Sequence, residues 1–362
     1  MSLKVAIVGC GKIADAHAAQ IRRIPGCELV GVCDREELMA RQLADRFGAQ
    51  RYFVDVDELL RGAMPDVVHV TTPPQSHFDI ARQCLEHGVH VYVEKPFTVN
   101  AKEAEILIDL AETANRRLTV GHDAQFSPAA QRMREVIRQG YLGDSVVHVE
   151  SCYGYDLGDG TYARAFLADS GHWVRRLPGG LLQNVISHGI ARIAEFLQGD
   201  NPHVVTHAFM SPSRAGRSAT GVLDELRVMI VDEAHMTAYF TLSSRMRPVL
   251  HKFRAFGSRN ALVLDETQQT VVKVRGAASK SYVERFVPPF IFAREYIANA
   301  ARNARLFLGN EFHMEAGKKN LIAAFYRSIV EGAPVPIPYR EILLTARVMD
   351  SIFEQVGEVV PC

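Results

Sequence analysis

An apolar run, Lys4-Val5-Ala6-Ile7-Val8, stops at Gly9-Cys10-Gly11-Lys12-Ile13-Ala14 and gives way to a segment of helical spacing that ends near Pro25-Gly26. A second apolar run, Glu28 to Cys33, then meets Asp34. Strand, glycine turn, helix, strand and acidic residue, in that order, make a dinucleotide-binding βαβ unit, and the order is what gives so short a motif its weight. Gly9 permits the tight turn, Gly11 lets backbone approach a pyrophosphate, and Ala14 keeps the helix close to the strand. Lys12 and Ile13 open the helix, where free amides and the positive end of the dipole favour an anion. Asp34 accepts from both ribose hydroxyls and repels a 2′-phosphate, so NAD(H) is expected; Arg35 beside it leaves NADP(H) open.

The alternation continues to about residue 121. Helical patterns over Glu36–Phe47, Asp57–Arg61, Gln75–His87 and Asn100–Arg116 are interleaved with strand-like Val67–Val70, Val89–Val93 and Leu118–Val120. Strands alternating with helices predict an α/β doubly wound parallel sheet, on which ligands collect beyond the carboxyl ends of the strands. Three strand ends carry chemistry and should share one rim: the glycine turn, Thr71-Thr72-Pro73 leading to His77, and Glu94-Lys95-Pro96.

After Gly121 the pattern changes. Pro128–Gly140 reads as a helix and Ser145–Tyr153 as a strand. An aperiodic stretch, 154–180, holds Arg164, the chain's one tryptophan, Trp173, and Arg175 and Arg176. Long loops of this kind are often functional, so Trp173 is a candidate to stack on a sugar and Arg164 to meet a phosphate or carboxylate. Gly180–Gln198 reads as an apolar helix on which Asn184 and His188, four residues apart, project from one face. Strand-like runs recur from His203 to Val274, consistent with an antiparallel sheet, and helices are expected over 288–308, 314–330 and 341–356. The expected division is a dinucleotide-binding domain, 1–121, and an α+β domain built on a large, mainly antiparallel open sheet, 122–362.

Composition excludes several function classes. Lys plus Arg and Asp plus Glu each number 41, so no net field draws the chain to nucleic acid or an anionic membrane. No apolar run approaches the roughly 20 residues that span a bilayer. The strand pattern begins near the first residue, so no signal peptide is expected. Six cysteines without a C-x-x-C pair suggest free thiols in a reducing compartment, hence a cytoplasmic protein. No metal site is expected: His203 and His207 lie in a strand-like segment that holds them too far apart to share an ion.

The chain resembles the Gfo/Idh/MocA oxidoreductases, the family of glucose–fructose oxidoreductase and inositol dehydrogenase. The resemblance rests on Gly9-x-Gly11-x-x-Ala14, Asp34, Thr71-Thr72-Pro73 through His77, Glu94-Lys95-Pro96, Gly121-His122, Phe126-Ser127-Pro128, Gly179-Gly180 and His188. It is dense over the first 200 residues and thin afterwards. It implies an NAD(P)-dependent dehydrogenase of sugars, inositols or nucleotide sugars, with a Rossmann domain and a second domain whose open sheet often joins dimers or tetramers. Substrate contacts are expected for His122, Gln125, Trp173, Arg164 and Asn184. This chain has Asn184 where many members carry aspartate, and Gln125 where arginine is frequent.

The expected reaction removes a proton from a secondary alcohol while the nicotinamide takes the hydride. His188 suits the general base, and Lys95 can stabilise the alkoxide; the alternative is that Lys95 takes the proton and His188 orients the hydroxyl. Asn184 holds no charge with which to raise the histidine's proton affinity. Two other functions fit the same motifs: a glycosidase using tightly held NAD for transient oxidation, and a dinucleotide-sensing protein without catalysis.

Overall fold

The structure, a computed structural model, describes residues 2–157, 169, 171–210, 223–276 and 282–357. The chain forms two compact units, one from Met1–Asp123 with Gly317–Arg347, the other from Ala124–Ala316 with Val348–Cys362.

The first unit is a six-stranded parallel sheet of β1 (Leu3–Val8), β2 (Cys27–Cys33), β3 (Tyr52–Phe53), β4 (Val67–Val70), β5 (His90–Val93) and β6 (Leu118–Val120). Its spatial order is β3-β2-β1-β4-β5-β6. Strands buried on both faces need near-continuous apolar sequence, and Val67, Val68, His69 and Val70 of β4 are all buried. The crossovers are α1 (Lys12–Ile21), α2 (Glu37–Phe47), α3 (Val56–Ala63), α4 (His77–Glu86) and α5 (Ala101–Thr113). Local chemistry sets their ends. The Asp55 and Asn100 side chains accept the N–H groups of Glu58 and Glu103, and Gly48 ends α2 at φ 67°. Strand order reverses between β1 and β4, which opens the sheet's crevice beside Gly9 and Thr71.

The second unit holds α6 (Pro128–Arg138), β7 (Val146–Gly154), α7 (Gly180–Ala194), β8 (His203–Phe209), β9 (Glu225–Val231), β10 (Thr237–Ser243), β11 (His251–Gly257), β12 (Asn260–Asp265), β13 (Thr270–Arg275) and α8 (Val283–Leu308). Its sheet has the order β13-β12-β11-β7-β10-β9-β8. It is not a plain meander. β7 lies between β11 and β10, antiparallel to the first and parallel to the second. Helix α7 packs on β7 and β10, and it comes close: a Cβ on Gly189 would overlap the Phe240 ring.

Two further helices, α9 (Ala316–Val330) and α10 (Tyr339–Gly357), complete the chain. The contiguous segment 122–362 is therefore not one unit, because 317–347 returns to the first. Leu321, Ile322, Phe325 and Tyr326 are buried there, and the Tyr339 hydroxyl accepts the N–H of Leu118 at 3.1 Å. Helical periodicity reports which face of α9 is apolar, not which sheet it covers.

Candidate functional site

The strand ends of the first unit are tied sideways by backbone hydrogen bonds. Gly9 N–H donates to Cys33 O at 2.8 Å, Thr71 N–H to Val8 O at 2.8 Å, Glu94 N–H to Val70 O at 2.9 Å and Gly121 N–H to Val93 O at 2.8 Å. The expected rim is thereby assembled on one edge of one sheet. Thr71 Oγ1 adds a bond to Gly9 O at 2.6 Å. Gly9, at φ 95°, fits so closely that a Cβ would lie 2.7 Å from Thr72 N.

Gly11 is different. Its backbone is extended, and a Cβ there would meet no atom of the chain within 4 Å. It caps α1 and has no side chain to accept the first-turn amides of Lys12 and Ile13, which a helix start leaves without intrahelical partners. Exposed Ile13 lies beside them. Asp34 accepts from Cys10 N–H at 2.7 Å and from Glu36 N–H at 3.0 Å, which fixes its half-exposed carboxylate beside the turn, with exposed Arg35 next in sequence. An open backbone approach, free amides at a helix start and a fixed carboxylate about 20 residues on fit a dinucleotide. Cys10 is a buried thiol whose pKa burial and the nearby Asp34 push up, so it is no nucleophile.

His77 sits deeper than expected for a residue on the cofactor side. Its buried ring links Thr72 O, 2.8 Å from Nε2, to Pro96 O, 3.0 Å from Nδ1, and so holds the ends of β4 and β5 together. Thr72 is half-buried and Pro73 exposed.

Glu94 and Lys95 follow β5. Glu94 is buried; its Oε1 accepts from Lys318 Nζ at 2.8 Å and His17 Nε2 at 2.7 Å, and its Oε2 from the backbone N–H of Lys95 at 3.1 Å. Gly121 makes room for it, since a Cβ there would lie 3.0 Å from Oε1. Burial alone would raise the Glu94 carboxyl, yet Lys318 and His17 hold it well below the usual range. Lys95 is half-buried, and its bond to Pro96 is cis. Burial lowers its pKa, the carboxylates of Glu94 and Asp123 oppose that, and Lys318 adds to the lowering. His122 is buried on the same edge, after β6.

The remaining candidates belong to the second unit. On α7 nearly every side chain is buried, but Asn184 and His188 are half-exposed, one turn apart on one stripe. The helix is pinned further along: buried Arg192 reaches Ala124 O at 2.7 Å and Glu266 Oε1 at 2.7 Å. Gln125 is also part of this anchor. Its amide donates to Ala191 O at 3.2 Å and Glu195 Oε2 at 3.4 Å, so the expected substrate contact is a buried tie to α7. Trp173 is half-buried in a short 3₁₀ turn, its ring 5.5 Å from that of His172. Arg164 lies outside the described residues.

Lys318, His17, His69, Asp123 and Tyr326 escaped the sequence reading. The available signal was polarity inside apolar runs, as with His69 in Val-Val-His-Val; their partners are too distant in sequence to be inferred.

Sheet order, glycine turn and fixed acidic residue together define a dinucleotide-binding Rossmann unit. Residues 3–122 match the model of the Gfo/Idh/MocA family, described as an oxidoreductase family with an NAD-binding Rossmann fold, so NAD is the cofactor to which this domain corresponds. Over 146 residues the chain is 34% identical to D-glucoside 3-dehydrogenase of Escherichia coli (strain K12), covering 40% of this chain and 42% of that protein. Over 233 residues it is 27% identical to glycosyl hydrolase family 109 protein 2 of Akkermansia muciniphila, covering 60% and 48%. The chain thus spans less than half the length of these two relatives. The fold extends further: an NAD-binding oxidoreductase from Klebsiella pneumoniae superposes with a TM-score of 0.78 at 21% identity, over 99% of this chain and 97% of that one.

Proposed function

We propose that this protein is an NAD(P)-dependent dehydrogenase that moves a hydride between the nicotinamide and a secondary alcohol of a sugar, inositol or nucleotide sugar. The observation that carries the reading is Lys95, a half-buried amine of lowered pKa at the end of β5, on the strand edge that bears the glycine turn. The nicotinamide, when bound, accepts or gives the hydride. Gly9, Gly11, Lys12, Ile13, Asp34, Arg35, Thr71, Thr72 and Pro73 line the cofactor side, with His77 and Glu94 fixing the strand ends behind them.

Lys95 holds the substrate oxygen and stabilises negative charge as it develops there. His188 is the general base for the hydroxyl proton, and Asn184 on the same stripe hydrogen-bonds substrate or imidazole without adding charge. His122 and Trp173 are the proposed substrate contacts in the described residues; Gln125 acts through its grip on α7. The glucoside dehydrogenase relative supports a sugar substrate.

The test is a panel of sugars, inositols and nucleotide sugars read by NADH absorbance, with Lys95→Ala alongside. Retained NAD binding with turnover lost supports the reading. If no alcohol reduces NAD, the reading fails and the dinucleotide-sensing alternative takes its place. The Akkermansia relative favours a second reading, glycoside cleavage through transient oxidation by retained NAD. Turnover of a glycoside without net NADH would establish it.

Assembly through the second sheet is part of the proposal. Exposed Tyr239, Met229 and Val205 sit side by side on β10, β9 and β8, an apolar row that a second copy would cover in a dimer or tetramer. Size-exclusion chromatography with light scattering checks it. Five described cysteines are free, which supports a reducing, cytoplasmic setting. No described helix is long and apolar enough to cross a membrane.

A further inference from the structure

Behind Lys95 lies a buried cluster of ionisable side chains to which the proposed chemistry assigns no part. Lys318, on α9 and 3% exposed at its side chain, contacts Glu94 Oε1 at 2.8 Å and Asp123 Oδ2 at 3.2 Å. The hydrogen-bond directions on the far side of Glu94 follow from valence. An ionised carboxylate only accepts, so His17 donates from Nε2 to Glu94 at 2.7 Å. A neutral His17 then accepts at Nδ1 from the Nδ1–H of His69, also at 2.7 Å. His69 in turn accepts at Nε2 from the Tyr326 hydroxyl at 2.8 Å. Burial keeps both imidazoles neutral, and every donor in the chain points toward Glu94.

Glu94 is therefore an anion held from inside the unit. One ammonium, one imidazole N–H and the backbone N–H of Lys95 share its two oxygens. Among the described residues, the charged groups that act on the Lys95 side chain include Glu94 after β5, Asp123 after β6 and Lys318 on α9. Two are carboxylates that hold a proton on Lys95, and one is an ammonium that opposes it.

We propose that Lys318 is a positioning residue for Lys95: it neutralises the Glu94 carboxylate from α9 and so weakens the hold of that charge on the Lys95 proton. The role rests on the reading of Lys95 as the group that meets substrate oxygen. Lys318 makes the amine ready to exchange its proton at lower pH, and Asp123 limits the effect by sharing the Lys318 charge. A sequence segment more than 200 residues downstream thus tunes the strand end that carries the chemistry.

The two partners act with opposite sign, and this makes the inference testable without substrate. Trace acetylation with acetic anhydride from pH 7 to 11, read by mass spectrometry of the peptide bearing Lys95, titrates that amine in the full-length protein. In Lys318→Met the labelling rate of Lys95 at pH 8 is expected to fall about tenfold, the factor of one pH unit. In Asp123→Asn it should rise, and Lys318→Arg should stay near wild type. Mere loosening of the fold would expose Lys95 and speed labelling in both charge-removing variants. Coincident titrations of wild type and Lys318→Met, or a shift of both variants in one direction, overturn the proposal. If Lys318→Met does not fold by circular dichroism, Lys318→Gln, which removes the charge but keeps a polar group against Glu94, takes its place: unchanged or faster labelling of Lys95 in that variant overturns the proposal. Turnover of Lys95→Ala tests the catalytic reading separately, because labelling reports the Lys318 coupling whether or not the enzyme turns over.

Discussion

Gly9 and Gly11 sit two residues apart in one turn, but the structure gives their side-chain hydrogens different neighbours, and alanine at each should separate folding from binding. At Gly9 the backbone is at φ 95°, and a Cβ would stand 2.7 Å from Thr72 N and 2.8 Å from Thr71 C. Both obstacles are backbone, so the turn and the end of β4 must part to about 3.5 Å. Backbone strain of about 1–3 kcal/mol and overpacking of similar size give a cost near 4 kcal/mol for Gly9→Ala. For a unit of this size that lowers the melting temperature by roughly 10 °C. At Gly11 the backbone is extended and the Cβ meets nothing, so the stability of Gly11→Ala should stay within about 1 kcal/mol of wild type. Its effect falls on the dinucleotide. A methyl that holds the phosphates off the α1 amides removes charge-assisted hydrogen bonds worth about 1.5–3 kcal/mol, which is about ten- to a hundredfold in Kd. Differential scanning fluorimetry and NADH fluorescence titration measure the two quantities. A Gly9→Ala protein that melts like wild type, or a Gly11→Ala protein that binds NADH like wild type, refutes the assignment of one glycine to the fold and the other to the ligand.

Three further outcomes follow from the same geometry. His17, His69 and His77 are fully buried with pKa values lowered by burial, so the unfolded chain takes up protons near pH 6.5 that the native unit refuses. Their contribution is complete above pH 6.5 and is lost as pH falls toward the folded values, at about 1.4 kcal/mol per pH unit for each; Glu94, also lowered, adds its share below its ordinary value of 4.5. A melting temperature that stays flat from pH 7 to pH 5 contradicts this. Asn184→Asp places a carboxylate one turn from His188, and the acid limb of the pH–rate profile should move up by about one unit; an unchanged profile counts against His188 as the base. Gly179 leaves no space for a methyl beside the Phe353 ring, so Gly179→Ala should cost the second unit about 1–3 kcal/mol, and Phe353→Leu added to it should recover part of the loss. Failure of that rescue in thermal melts would mean the contact is not the cause.

The sheet of the first unit was legible in the sequence because its rules are local. An apolar run of four to six residues, a glycine turn and a helix must repeat to make parallel strands, and each strand end then carries its polar residues to one edge. Thr71, Glu94 and the glycine turn belong to that edge on the sequence pattern alone. Asn184 and His188 could be put on one stripe of α7, because helical spacing is a local property too. The sequence also marked the strands of the second unit, since alternation survives in each one separately.

What tertiary structure decided is which distant elements share a space. No periodicity in residues 146–154 says that β7 enters the middle of the second sheet, parallel to β10 and antiparallel to β11. Nothing near residue 318 announces that α9 returns to the first unit. Glu94, which the sequence puts on the cofactor-side rim without naming a partner, becomes the receiver of hydrogen bonds from His17 and Lys318, which lie 77 and 224 residues away. A buried ion must find its donors somewhere, because leaving it unpaired costs several kcal/mol, but that demand does not say where they come from. The sequence by itself determined the rim and the residues on it. The charge that Lys95 experiences there was decided by the fold.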